Sequence, residues 1–212
     1  RFSSNEARNA AMLAALVEVG AGDPSVGRLY EGHVNALLLF EWYGSSKQKQ
    51  WLRTEIERQA WFGVWASEPA PGVRIEQGAQ SRLTGAKCFA SGAGGIDWAL
   101  ATASRNEEPR RLVIIRANDS ERADLSAWRV RGMRASVSGT YDCAGIEVTE
   151  DSLLGHPGNY DREPRFTAGA WRFCAVQLGG IEALIEEMAL RMSHKARADA
   201  VLRQRFAKAH IA

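Results

Sequence analysis

FGVWASEPAPGVRIEQGAQSRLTGAKCFASG, residues 62–92, sets a Ser-Glu-Pro turn and a Lys-Cys-Phe-Ala-Ser strand about two dozen residues apart. The sequence between them is rich in Pro, Gly and polar residues, the composition of a hairpin-like excursion that brings the chain back to its starting point. Two hydroxyls and one aromatic ring thereby enter one neighbourhood. Ser67 and Ser91 each offer a hydrogen bond, and Phe89, two positions before Ser91, shares its face on a regularly extended strand. Together they would form a wall for a planar heterocycle. The plainer reading of the same residues is that both serines finish turns and Phe89 fills the core.

Composition limits what such a wall can belong to. The 212 residues are 45% hydrophobic and 25% charged, an ordinary balance for a soluble globular chain with one or two cores. The 27 basic and 25 acidic residues are interspersed and leave a formal charge of +2, which argues against a polybasic nucleic-acid arm or a membrane-surface helix. No apolar run approaches the roughly 18 residues of a spanning helix, and no secretion-signal pattern opens the chain. The expected location is cytoplasmic, without nucleic-acid or membrane partners. Cys88, Cys143 and Cys174 are odd in number, widely separated and free of CxxC spacing. Neither a disulfide framework nor a metal site is expected, and all three read as buried free thiols.

In chain order the pattern changes character twice. Ala10, Leu13, Leu16 and Val17 recur at helical spacing, and the run from Gly20 to Pro24 interrupts them. A second helix over 25–42 places Leu29, His33, Ala36, Leu37 and Phe40 on one stripe, and Tyr43-Gly44 ends it. His33 on that stripe reads as a hydrogen-bonded core or interface residue, since no second ligand stands at metal spacing. Ser45-Ser46 caps a third helix through Arg58. Between Trp61 and Thr149 the runs starting at Leu112, Trp128 and Gly145 are β-rich and lack crossover helices, which predicts a small antiparallel sheet or barrel. Helices return over 171–192 and from Asp199 onward. The class is α+β, with a helical domain over 1–60, a middle β-domain over 61–155 and the start of a helical bundle over 156–212.

This order, with four motifs, resembles the acyl-CoA dehydrogenase family. Gly44-Ser-Ser-Lys-Gln-Lys-Gln-Trp-Leu is similar to the family helix that precedes its β-domain. Ala66-Ser-Glu-Pro resembles its Thr-Glu-Pro turn, and Leu83-Thr-Gly-Ala-Lys-Cys-Phe-Ala-Ser-Gly its Lys-x-Trp/Phe-Ile-Thr/Ser strand. Gly132-Met-Arg-Ala-Ser-Val-Ser-Gly-Thr followed by Val148-Thr-Glu-Asp-Ser-Leu-Leu-Gly resembles the fourth, a Gly-x-Arg-x-Ser/Thr segment with the strand and the Val-Pro run after it. The resemblance implies FAD held between the β-domain and the C-terminal helices. Ser67 would then bond the pyrimidine side of the ring, Ser91 would reach toward N5 and Phe89 would pack on the ring. Trp65, Ala66 and Ala90 are their neighbours in the two cofactor-binding segments. Such contacts orient a flavin and tune it, while the hydride chemistry belongs to the cofactor.

The implied activity is α,β-desaturation of an acyl thioester, with electrons passed to an acceptor protein, in a homodimer or dimer of dimers. Gly72 and Arg74 occupy the substrate-side segment, where Val73 replaces the family serine and offers no hydroxyl. Arg172 matches an arginine near the thioester, with a helix-end salt bridge as its alternative role. No catalytic base is identified: the family glutamate commonly lies further along a longer chain, its rarer position is Trp171 here, and Glu68 matches a structural glutamate. The expected explanation is an incomplete chain, whose bundle helix would show an apolar face along Ala175, Leu178 and Ile181. Two further functions remain open, a flavin monooxygenase or oxidase on the same scaffold and a flavin-free scaffold.

Overall fold

A computed structural model describes residues 4–211. Helices α1 (Ser4–Gly22), α2 (Pro24–Tyr43) and α3 (Ser46–Glu57) come first. Strands follow as β1 (Phe62–Trp65), β2 (Arg74–Glu76), β3 (Arg82–Thr84), β4 (Ala86–Ala90), β5 (Trp98–Ala103), β6 (Arg111–Arg116), β7 (Ala123–Asp124), β8 (Gly139–Asp142) and β9 (Leu153–Leu154). The chain closes with α4 (Ala170–Arg191), α5 (His194–Ala198) and α6 (Ala200–Ile211). The helix–sheet–helix order expected from the pattern is the observed one.

The helix ends follow from their cap residues. The Asp23 carboxylate accepts from Ser25 N at 2.6 Å, and Pro24 fills the first helical position of α2, where no N–H is needed. Ser45 and Gln48 form a reciprocal capping box on α3 at 3.0 and 3.2 Å. The Gln48 amide then donates to the carbonyls of Asp151 and Leu153, which fastens α3 to the last strand.

Three sheets make up the middle of the molecule: β1-β5-β6-β9, the hairpin β2-β3, and β4-β8-β7. Leu100, Leu112 and Phe62 point to one face of the first sheet and pack under α2 and α3 with Ala36, Leu39 and Phe40. Trp65, Ala101, Val113 and Ile115 point to the other face and meet Leu83, Tyr141 and Cys143 from the smaller sheets. Covering on both faces explains why the strands read as continuous apolar runs. A third cluster, around Leu16, Ala175 and Val176, joins α1 to α4.

Four expectations need correction. β1 runs parallel to β5, Phe62 opposite Trp98, so the sheet is mixed. The return path for that parallel pair is the β2–β4 excursion, so no crossover helix was there to signal it. The run at Trp128 forms no strand, and Gly145–Thr149 follows β3 irregularly, because Gly145 turns at φ +78 and only Arg82 and Glu147 make a bridge. Cys143 is buried, Cys88 half-buried and Cys174 exposed. On α4, Ala175 is buried, while Leu178, Ile181, Leu184 and Met188 form the exposed apolar stripe. No described helix is long and apolar enough to cross a membrane.

Candidate functional site

Between α2, the turn after β1, the end of β4 and the first turns of α4 runs a groove of two lobes. The first lobe, about 310 Å³, has Arg28, Gly32, Ala66, Ser67 and Phe89 in its walls. The second, about 410 Å³, is walled by Leu39, Trp42, Tyr43, Phe166 and Arg172. Glu31, Asn35, Val64, Tyr160 and Phe173 border both. The two are neighbours along one surface.

Of the residues proposed from sequence, the structure brings Ala66, Ser67 and Phe89 to the first lobe and Arg172 to the second. Phe89 and Ser91 do not share a face. A register shift between Lys87 and Ala90 and a φ of +50 at Phe89 throw the ring outward, where it is 66% exposed. An aromatic residue in that conformation is strained, and large exposed rings mark binding surfaces. Ser91 is buried instead: its hydroxyl meets that of Ser138 at 2.8 Å, and Ser138 meets Ser136 at 2.9 Å. Trp65, 2% exposed, donates from Nε1 to the Ser91 carbonyl at 3.1 Å, and Ala90 is fully buried, so both back the wall from within. Gly72 and Arg74 lie outside the groove walls. Gly72 turns at φ +87 against Glu68, and Arg74 is exposed at the start of β2.

The turn that presents Ser67 is fastened from beneath. Lys87, completely buried, pairs with the Glu68 carboxylate and lies 2.8 Å from Thr102 Oγ1. Burial lowers the Lys87 pKa, and the hydrogen bond to Glu68 pushes it back up. Arg110 donates to the Ala66 carbonyl at 3.2 Å and grips Asp161 through two nitrogens at 2.6 and 2.8 Å, its guanidinium 5.1 Å from the Tyr160 ring. Glu68 thus has the structural role expected of it.

The polar line along α2 escaped the sequence reading. Glu31, almost fully buried, pairs with Arg28 and accepts from the Asn35 amide, and the Asn35 carbonyl oxygen accepts from Arg172 Nε. The signal was present as charged and amide residues at i, i+3 and i+7 beside an apolar stripe, but such a row usually marks a wet face. Tyr160 and Phe173 come from segments without periodicity and from the start of α4, so only the fold brings them here. His33 behaves as expected, accepting from the Phe62 N–H at 3.1 Å through Nδ1, with burial lowering its pKa.

Ser67, an exposed hydroxyl, and Phe89, an outward aromatic face, flank the first lobe and are the residues that would meet a flavin ring there, and no described group of His, Cys, Asp or Glu forms a metal site. No protein-family model matches the chain. A dibenzothiophene monooxygenase of Rhodococcus erythropolis is 27% identical over 156 residues, 68% of this chain and 37% of that protein. The chain therefore spans well under half the length of the curated relatives it matches. Among solved structures, TdsC from Paenibacillus sp. A11-2 with FMN and indole superposes with a TM-score of 0.76 at 22% identity, over 93% of this chain and 57% of that one. Butyryl-CoA dehydrogenase from Megasphaera elsdenii superposes with a TM-score of 0.74 at 15% identity, over 94% and 58%. On the order of its elements and these superpositions, the chain has the acyl-CoA dehydrogenase fold that its four motifs resemble.

Proposed function

We propose that this chain carries the flavin- and substrate-binding face of a flavin-dependent monooxygenase acting on a small aromatic compound. The observation that carries the reading is the second lobe. Trp42, Tyr43, Tyr160, Phe166 and Phe173 surround it, directly beside Ser67 and Phe89. Aromatic walls suit a planar ring through offset and edge-to-face contacts worth about 0.5–1.5 kcal/mol each beyond burial. The likeness to dibenzothiophene monooxygenases supports the same choice.

A bound flavin would supply oxygen activation, one atom of O₂ going to substrate and the other to water at the expense of two flavin electrons. The chain's residues supply position. Ser67 would donate to the ring edge and Phe89 would cover its face, and Arg110 with Lys87 and Glu68 holds the turn that carries Ser67. FMN and FAD present the same ring to these residues, and the assembly we propose is a homo-oligomer. The test supplies reduced FMN or FAD with indole or dibenzothiophene under ¹⁸O₂ and follows label in the product by mass spectrometry. Labelled product supports the monooxygenase. Anaerobic bleaching of bound flavin by butyryl-CoA, with no labelled product, would replace it with the dehydrogenase.

A further inference from the structure

Arg172 is in a costly position. It is the third residue of α4, so its charge sits in the first turn, at the positive end of the helix, where a cation is disfavoured by about 0.3–1 kcal/mol. It is also only 8% exposed. A buried charge is normally paired and fully hydrogen-bonded. Here a single hydrogen bond to protein is made, from Nε to the neutral Asn35, and the two terminal nitrogens, which have no protein acceptor, keep some access to the lobe that Arg172 lines. The helix-end salt bridge is not formed, because the nearby Glu31 carboxylate is engaged by Arg28. Burial opposes the charged form, while Glu31, acting through space, and the Trp171 ring, 5.7 Å from the guanidinium carbon, favour it.

The second lobe that Arg172 borders is positive as a whole. Arg165 stands over the rings of Trp42 and Tyr43 at 5.0 and 5.5 Å, with no carboxylate partner among the described residues. Two guanidiniums of this lobe, those of Arg165 and Arg172, therefore stand with the one carboxylate of Glu31, which Arg28 of the first lobe already pairs. In the same wall the Tyr43 hydroxyl is buried without a hydrogen-bond partner. The Ala170 N–H at the start of α4 is taken by the Thr167 carbonyl, and Glu163 accepts from Thr167 N in the turn before it. A planar acceptor with two oxygens would match the two terminal nitrogens of Arg172.

We propose that this lobe seats an oxyanion of the substrate, a carboxylate or sulfur oxyacid group on an aromatic ring, which Arg172 grips through its two terminal nitrogens. This rests on the monooxygenase reading of the groove and narrows its substrate from a neutral ring to an aromatic anion. A guanidinium facing a planar two-oxygen acceptor in a water-poor cleft is the strongest geometry available to it.

The test is a titration of the purified protein with benzoate, benzenesulfinate and the neutral isostere benzamide, with and without FMN, read by tryptophan fluorescence from Trp42 and Trp171. Benzoate or benzenesulfinate should bind at least roughly tenfold more tightly than benzamide, the value of one charge-assisted hydrogen bond. Arg172→Gln should abolish the preference of the anions over benzamide, and Arg172→Lys should retain part of it. Equal or weaker binding of both anions by the unaltered protein overturns the proposal, whether or not the variants fold. An unchanged preference in a folded Arg172→Gln protein overturns it as well. Labelled oxygen in indole without any anion preference would leave the monooxygenase standing and remove only the oxyanion seat.

Discussion

Gly179→Ala tests how α1 and α4 are held together. A Cβ at Gly179 would collide with the Val17 carbonyl oxygen and lie 2.8 Å from Ala21 N. Both are backbone atoms of α1 and cannot rotate aside, so the helices must part. Two effects then oppose each other. Alanine gains about 1 kcal/mol over glycine inside a helix. Parting the helices exposes Leu16 and Val176, now fully buried, whose complete burial stabilises by about 1.5–3 kcal/mol each. Losing half of both, with the strain of an overfilled contact of about 1 kcal/mol, costs roughly 2.5–4 kcal/mol. The net is a destabilisation of about 1.5–3 kcal/mol, a fall in Tm of about 3–12 °C for a chain of this size. Gly22→Ala is the control, since nothing lies within 4 Å of its Cβ and only the entropic gain remains. Urea and thermal unfolding followed by circular dichroism would measure both. A Gly179→Ala protein as stable as the parent would refute close backbone approach as the reason for glycine there.

His33 accepts a hydrogen bond and is buried, so its folded pKa lies below the ordinary 6.5; stability is full above that pH and declines as pH falls through it toward the folded value. His33→Gln should flatten this acid limb in urea titrations, and an unchanged slope would assign the loss elsewhere. Burial pushes the Cys143 thiol up from 9.0 to about 11, so stability present below pH 9 declines toward pH 11, by up to roughly 3 kcal/mol; Cys143→Ala should remove that decline. A thiol reagent should modify exposed Cys174 first and Cys143 only on unfolding, and early modification of Cys143 would contradict its burial. Glu68→Gln leaves the Lys87 ammonium buried beside only Thr102, at a cost of about 2–4 kcal/mol, part of which the double variant Glu68→Gln, Lys87→Met should restore. A double-mutant cycle with no coupling would deny the pair its structural role.

Much of the fold was legible because its signals are local. Asp23-Pro24, Ser45 with Gln48, and the stripes of α2 and α4 are cap and periodicity features that neighbouring residues complete by themselves. The motif order then carried the resemblance that placed Ser67 and Phe89 together. What remained hidden depends on non-local contacts. The parallel pairing of β1 with β5 has no helix between the strands to announce it. Phe89 leaves the face of Ser91 because of a register shift against β8, which the β4 sequence alone does not contain. Arg172 was recognised, but its partner Asn35, 137 positions earlier, has no sequence mark that ties the two.

Helix α2 reaches in several directions at once. Gly27 lets Val176 of α4 approach, Glu31 and Asn35 face the groove, His33 receives a strand N–H, and Ala36 and Phe40 press on the sheet. Each residue added to a helix rotates everything beyond it by about 100°. Inserting or deleting one residue in α2 would therefore swing the carboxylate toward the apolar layer and a leucine toward the groove in a single event. A single substitution along α2 changes one of these contacts, whereas a change in its length would displace every contact beyond it and with them the groove.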